Sequence, residues 1–216
     1  MPLANHRNYQ YGYELAYKLA CEQLSRIDNL ELQCQKSGAL FKLVGGKKTI
    51  ILDYLNRYYQ VSFPDIDVSP VGSKETVLLR DKLLILHYLN QSRGSPITGT
   101  QTTYKELPDG VSYSPTFYKR AIKPLLDNFS QKPNSLLDAA AKLGGYGEDF
   151  GELAHDINAF SRVPITLVLW QGDDELAPEG NILFDSTISD YLSTEDITVL
   201  CETIAWRLVK ISRETE

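Results

Sequence analysis

The sequence contains few of the residues from which compact metal sites and disulfide frameworks are built. Its 216 residues include three cysteines, three histidines, one methionine and two tryptophans. Cys21, Cys34 and Cys201 are odd in number, lie far apart and form no Cys-x-x-Cys pair. This pattern argues against a disulfide framework, a zinc site or a self-contained iron–sulfur site. We therefore expect three free thiols, a reducing cytoplasm and no cofactor bound by this chain alone.

Long hydrophobic runs are also absent. Within the most apolar segment, the uncharged run from Leu83 to Leu89 has only seven residues and includes His87, whereas a membrane-spanning helix needs about 20. The opening residues contain neither the apolar stretch nor the cleavage pattern of a signal peptide. We therefore expect no membrane span and no export.

Basic residues are scarce in one part of the chain. The net charge is −6, but residues 1–145 carry +5 and residues 146–200 carry −11. An acidic segment of this kind argues against nucleic acid as a partner, because phosphate binding needs clustered Lys and Arg. Asp173, Asp174 and Glu175 could ligate a cation, or they could form a solvated acidic turn. We predict one domain over residues 1–216, in which residues 146–200 could form an acidic lobe.

Residues 73–91 form the segment around which we expect the fold to be organised. From Val77 to Leu89 the apolar side chains cover nearly every direction around a 3.6-residue helix, which predicts a helix surrounded by other elements. The predicted helix runs from about Thr76 to Asn90, with Ser73 as its capping residue. Its solvated arc is predicted to be Arg80-Asp81-Lys82.

The remaining patterns predict antiparallel strands and amphipathic helices. Three short strands are expected at residues 39–44, 47–54 and 57–63, with a turn at Gly45-Gly46 between the first two. Further strands are expected at residues 164–170 and 181–185. Helices are expected at about residues 8–26, 114–129, 132–143 and 193–213. The predicted class is therefore α+β, with mainly antiparallel sheet around the central buried helix and amphipathic helices at both ends.

Local catalytic motifs are missing. Gly45-Gly46-Lys47-Lys48-Thr49 resembles part of a phosphate-binding loop, but Phe41 stands where that motif needs its first glycine. An enzyme would have to assemble its site from distant residues. For acid–base chemistry the candidates are His87, Asp185 and Tyr191.

Binding is the first-choice function, since 13 tyrosines accompany the lack of catalytic motifs. The predicted ligand-binding residues are Tyr104, Trp170 and Asn181. The ligand would be a small molecule, and a protein partner is the other candidate.

The last predicted helix has a second apolar face. Its core face leaves Val199 and Trp206 about 180° away from the buried stripe. Either another part of the chain covers this face, or Val199, Trp206 and Val209 form an exposed patch that contacts a second subunit of a homodimer or a partner protein.

Several ordered blocks resemble the uncharacterised bacterial and archaeal family called domain of unknown function 3786, over about Tyr9 to Leu208. The blocks are Leu79–Leu89, Ile97–Gly99 with Glu106–Gly110, Arg162–Asp174, Asn181–Asp185 and Tyr191–Asp196. Some members of that family are joined to iron–sulfur domains in anaerobes with corrinoid-linked metabolism, so the resemblance implies an accessory redox or cofactor role. It implies no established active site. Because this chain lacks clustered cysteines, a cluster or corrinoid would belong to a partner.

Overall fold

Helices and antiparallel strands both occur in the computed structural model, as the α+β prediction requires. The structure describes residues 3–148, 153–172 and 175–215, and for residues 3–10, 148 and 153 it describes the backbone alone. The chain divides into two compact units, Met1–Ser95 and Pro96–Glu216. A division into units does not decide whether each part folds alone, so the single domain stays a prediction.

The first unit combines a four-stranded meander with three helices. Its strands follow one another in space as in sequence, and every pair is antiparallel. Gly45 and Gly46 adopt positive φ in the turn between the first two strands, which confirms the predicted hairpin. Its elements are α1 (Leu3–Ser25), α2 (Leu30–Ser37), β1 (Leu40–Val44), β2 (Lys47–Asp53), β3 (Tyr58–Ser62), β4 (Asp67–Pro70) and α3 (Leu79–Gln91).

The predicted central helix is α3, and it packs against α1 and α2. It begins at Leu79, later than predicted, and Ser73 does not cap it. Instead the Ser73 hydroxyl accepts the Glu75 amide in the irregular segment before the helix. The predicted solvated arc is wrong for Asp81. Asp81 is 3% exposed, and its carboxylate accepts a 3.0 Å hydrogen bond from the hydroxyl of Tyr54, the residue after β2.

The second unit combines a five-stranded sheet with a group of helices. The strand order is β5-β9-β8-β7-β6, and all neighbours are antiparallel. The strands predicted at residues 164–170 and 181–185 are confirmed as β8 and β9. Its elements are β5 (Gln101–Thr103), α4 (Gly110–Phe117), α5 (Lys123–Phe129), α6 (Pro133–Lys142), β6 (Tyr146–Glu148), β7 (Leu153–Phe160), β8 (Val163–Trp170), β9 (Glu179–Asp185) and α7 (Thr194–Thr215).

Helix α7 is a second buried helix, which the prediction of a single central helix did not foresee. Its residues from Asp196 to Cys201 are all buried, and α5 and α6 pack against it. Its start is as predicted, because the Ser193 hydroxyl donates to the Asp196 carboxylate (2.6 Å) and accepts the Asp196 amide (3.2 Å).

For the second apolar face of α7, the two alternatives were cover by the same chain and an exposed patch, and the three residues differ in burial. Val199 and Val209 are buried, whereas Trp206 is 48% exposed. The patch is therefore reduced to one tryptophan, because neighbouring elements cover the helix on more than one side. A contact of Trp206 with another protein stays a prediction.

None of the helices that the structure describes is long and apolar enough to cross a lipid bilayer.

Candidate ligand-binding cleft

A cleft of about 560 Å³ opens in the second unit between the segment after β5, the helix that starts with α4, and the first residues of β9. Its lining mixes aromatic side chains with hydroxyl, amide and amine groups, which is typical of small-molecule sites. The lining residues are Thr103, Tyr104, Lys105, Ser114, Pro115, Phe117, Tyr118, Ile122, Gly180 and Asn181.

The first wall is a single 3₁₀ turn, Tyr104–Glu106, that the capping residue Thr103 begins. The Glu106 carboxylate accepts the Thr103 amide at 2.7 Å and the Thr103 hydroxyl at 2.8 Å. These bonds lower the pKa of Glu106, so the carboxylate stays charged and holds the turn closed. Lys105 projects from this turn and is exposed.

Gly110 fixes the distance between this wall and α4. A Cβ atom at position 110 would lie 1.9 Å from the Tyr104 carbonyl oxygen. Only glycine allows the start of α4 to pack this closely against the backbone of the first wall.

The second wall is a helix with a π-helical turn. The sequence predicts one helix from Pro115 onwards, but α4 begins at Gly110 and encloses Pro115. Residues Tyr118–Ile122 are π-helical, and the Lys123 amide donates to the Tyr118 carbonyl. Pro124 explains the π turn, because proline cannot donate within the helix and its ring would clash with the carbonyl of Arg120 in regular α geometry. The wider turn carries Tyr118 and Ile122, both of which line the cleft.

The cleft has an aromatic base. The rings of Tyr104 and Phe117 stack with centroids 3.9 Å apart and planes at 9°, and Phe184 meets Phe117 edge-on at 6.3 Å. Gly180 also lines the cleft, and a Cβ atom at this position would lie 2.8 Å from Leu169 Cδ2.

Both walls are tied to α7. The Tyr104 hydroxyl lies 2.8 Å from Thr198 Oγ1, and Arg120 bonds Glu202 through two nitrogens at 2.6 and 3.2 Å. Burial raises the pKa of Tyr104, so its hydroxyl keeps its proton at neutral pH. The lining is therefore largely pre-formed.

Asp185 anchors the segment that leads into the first wall. Its Oδ2 accepts the Thr98 amide and hydroxyl and the Gly99 amide at 2.8–3.0 Å, and its Oδ1 accepts the Thr187 amide and hydroxyl. Burial opposes ionisation, but these hydrogen bonds outweigh it and lower the pKa of Asp185. A carboxylate with five donors is suited to anchoring rather than to accepting a proton from a substrate.

Two of the three catalytic candidates, Asp185 and Tyr191, lie in the second unit, and His87 lies in the first. Tyr191 is fully buried, and burial raises its pKa, while the positive charge of Arg162 opposes this and the charges of Asp190 and Asp185 add to it. Asp185 and Tyr191 thus belong to one neighbourhood in the second unit. His87 belongs to the first unit, where it is half-buried on α3. The catalytic role of these residues stays a prediction.

Two of the three predicted ligand-binding residues, Tyr104 and Asn181, line the cleft. Trp170 does not; it ends β8, is 38% exposed and pairs with Glu179. Sequence reasoning missed Lys105, Ser114 and Tyr118 because each is an ordinary surface residue by pattern. The Pro115 and Pro124 pair was the one available signal for an irregular helix at this point.

Within the described part of the chain, no group of three or more His, Cys, Asp or Glu side chains could hold a metal ion. Of the three candidate cation ligands named above, Asp173 and Asp174 lie outside the described residues, and Glu175 is exposed.

A family model described as "Domain of unknown function (DUF3786)" matches residues 30–207. No curated protein and no solved structure matches the chain.

Proposed function

Because the chain belongs to the family of the domain of unknown function DUF3786, whose description names no activity, we propose its function from the cleft: the protein binds a small molecule there. The observation that carries the proposal is the convergence of three separate segments on one pre-formed cleft with an aromatic base. The cleft's volume of about 560 Å³ falls within the range of small-ligand sites, about 300–1,000 Å³.

The arrangement of supporting residues favours this function over a merely structural role. Glu106, Gly110 and Asp185 do not line the cleft, yet each fixes the position of a segment that does. Three of the sequence blocks that carry the family resemblance therefore meet around the cleft. They are Ile97–Gly99, Glu106–Gly110 and Asn181–Asp185. A binding site needs such a supporting shell to hold its lining in one geometry.

Polar groups available to a ligand line the same cleft. Asn181 Oδ1 accepts the Ile182 amide at 2.9 Å, which leaves its NH₂ group for a ligand. Tyr118 is 46% exposed and offers a ring face. A ligand with a planar part and hydrogen-bond acceptors fits this combination.

Saturation-transfer NMR tests the proposal with small planar probes at millimolar concentration. The probes are benzoate, benzamide and benzamidinium, which share one shape. At least one should bind the wild-type protein and fail to bind Ser114→Trp, in which the new side chain fills the cleft. Ser112→Trp is the matched control, because Ser112 is exposed on the same helix and does not line the cleft. Absence of binding by all three probes, or equal binding to both variants, would contradict the proposed function.

The accessory role that the family resemblance implies is part of the same proposal. We infer that the protein works in the reducing cytoplasm of a bacterium or archaeon, beside a partner that carries the redox group or corrinoid. What supports this is the resemblance together with the scarcity of cysteine. Anaerobic purification followed by native mass spectrometry tests it, since a partner carrying iron or corrinoid should copurify. Purification of the protein without any such partner would contradict it.

A further inference from the structure

We propose that the ligand of the cleft is an organic anion whose charge lies against Lys105. This inference rests on the proposed function and specifies the chemical class of its ligand. It follows from the charge and the hydrogen-bonding capacity of the lining.

The charge of the lining has the opposite sign to that of the whole protein. The net charge of the chain is −6, yet the ten lining residues include one lysine and no carboxylate. An anion that enters the cleft thus meets a local positive charge on a negative molecule, and a cation meets repulsion there.

The charge of Lys105 is available to a ligand. Across the residues that the structure describes, Lys105 takes part in no ion pair. The adjacent Glu106 is turned back onto Thr102 and Thr103, whose hydroxyl groups donate to its Oε2 at 3.2 and 2.8 Å. Arg120, which belongs to the second wall, is paired with Glu202 at 2.6 Å. Lys105 is therefore the one charged side chain among the ten lining residues, and its charge is open to a ligand.

The uncommitted polar groups of the lining point to the same ligand class. The Lys105 ammonium and the Asn181 NH₂ group are donors without acceptor capacity, and the Ser114 hydroxyl can donate as well. A lining with an excess of donors is satisfied by a ligand rich in acceptors, such as a carboxylate or a phosphate.

The three probes named above separate this inference from the proposed function, because they differ in charge and hardly in shape. Benzoate carries −1, benzamide is neutral and benzamidinium carries +1. We expect benzoate to bind about threefold to fivefold more tightly than benzamide, as a solvent-exposed charge pair allows, and benzamidinium to bind most weakly. Repeating the titration with phenyl phosphate tells a phosphate ligand from a carboxylate.

Lys105→Gln should abolish the preference for benzoate, whereas Lys105→Arg should keep it. The matched control is Lys119→Gln, which removes an exposed lysine that does not line the cleft. This control should bind benzoate as the wild type does. An unchanged melting temperature in each variant shows that the fold is intact.

The possible results assign failure to one proposal or the other. If the probes bind with equal affinity and Lys105→Gln changes nothing, the anion inference is overturned and the binding function stands. If no probe binds, both are overturned. Tighter binding of benzamidinium would reverse the assigned ligand class.

Discussion

The hydroxyl groups of Tyr104 and Thr198 lie 2.8 Å apart and join residues that are 94 positions apart in the chain. Thr198 donates its only hydroxyl hydrogen to the Thr194 carbonyl at 3.0 Å, so Tyr104 must be the donor in the bond between them. The bond is buried and ties the first wall of the cleft to α7. Its strength can be measured.

A double-mutant cycle isolates this bond. Tyr104→Phe should lower the free energy of unfolding by about 1 kcal/mol. Thr198→Val should lower it by about 1–3 kcal/mol, because the Tyr104 hydroxyl is then buried without an acceptor. The double variant should lose less than the sum of the two, as measured by urea denaturation. Strict additivity would mean that the two residues are not coupled.

Glycine at position 110 should be irreplaceable. Gly110→Ala places a Cβ atom against the Tyr104 carbonyl, and we expect thermal or urea unfolding to show a loss of about 2 kcal/mol or more. The matched control is Gly12→Ala on α1, where a Cβ atom would meet nothing within 4 Å. The free energy of unfolding of that variant should rise by about 0.5–1 kcal/mol, since alanine is the better helix former. A neutral Gly110→Ala would show that the first wall is not held in the described position.

Asp185→Asn should destabilise the protein through the segment before β5. The amide that replaces the carboxylate has no charge, and its NH₂ group faces backbone N–H donors. We therefore expect the free energy of unfolding to fall by about 2–4 kcal/mol. Asp127→Asn is the control, because Asp127 forms an exposed pair with Lys123 and should change stability by less than about 0.5 kcal/mol. The lowered pKa of Asp185 adds a test in acid. Its stabilising contribution should be complete above the ordinary aspartate pKa and be lost as the pH falls through the lowered value.

His155 should make stability depend on pH in a higher range. The side chain is 4% exposed on β7, its Nε2 has no partner among the described residues, and burial lowers its pKa below 6.5 despite a backbone hydrogen bond with Tyr146. The unfolded chain therefore binds the proton more readily than the folded one. The contribution of neutral His155 to stability should be fully present above about pH 6.5. Below that pH the free energy of unfolding should fall by at most about 1.4 kcal/mol per pH unit.

His155→Leu should remove this slope between pH 5 and 7, as measured by urea denaturation at several pH values. The acid losses below pH 4 should remain, because they come from carboxylates such as Asp185. An unchanged slope between pH 5 and 7 would assign the effect to another group.

The three cysteines should differ in reactivity. In denaturant without reductant, a thiol reagent should count three thiols. In the native protein Cys21, which is half-buried, should react first. Burial, with a smaller contribution from the charge of Glu31, raises the pKa of Cys34 to about 11, and burial raises the pKa of Cys201 as well. Both should stay protected until the protein unfolds. A denatured count of one would reveal a disulfide.

Elements with strong local signals were predicted well from the sequence. Each of three such elements depends on residues that are close in the chain. The hairpin depends on the turn residues Gly45 and Gly46, strand β8 on a short β-branched run, and the start of α7 on the Ser193–Asp196 capping box. Helix α2 was missed because it has only eight residues. Strand β7 was missed because His155, Asp156 and Asn158 break the expected alternation of apolar and polar residues.

The sequence by itself determined the α+β class, the family and most of the strands and helices, because periodicity and turn chemistry act over a few residues. The cleft was decided by tertiary structure. The three segments that line it meet only because β5 pairs with β9 and the π turn places Tyr118 beside them. These segments are Thr103–Lys105, Ser114–Ile122 and Gly180–Asn181. The burial of two acids was also decided by tertiary structure. Asp81 accepts a hydrogen bond from Tyr54, 27 residues away, and Asp185 accepts one from Thr98, 87 residues away. A polar side chain is buried only where donors from elsewhere in the chain satisfy it, and no local pattern records where those donors will lie.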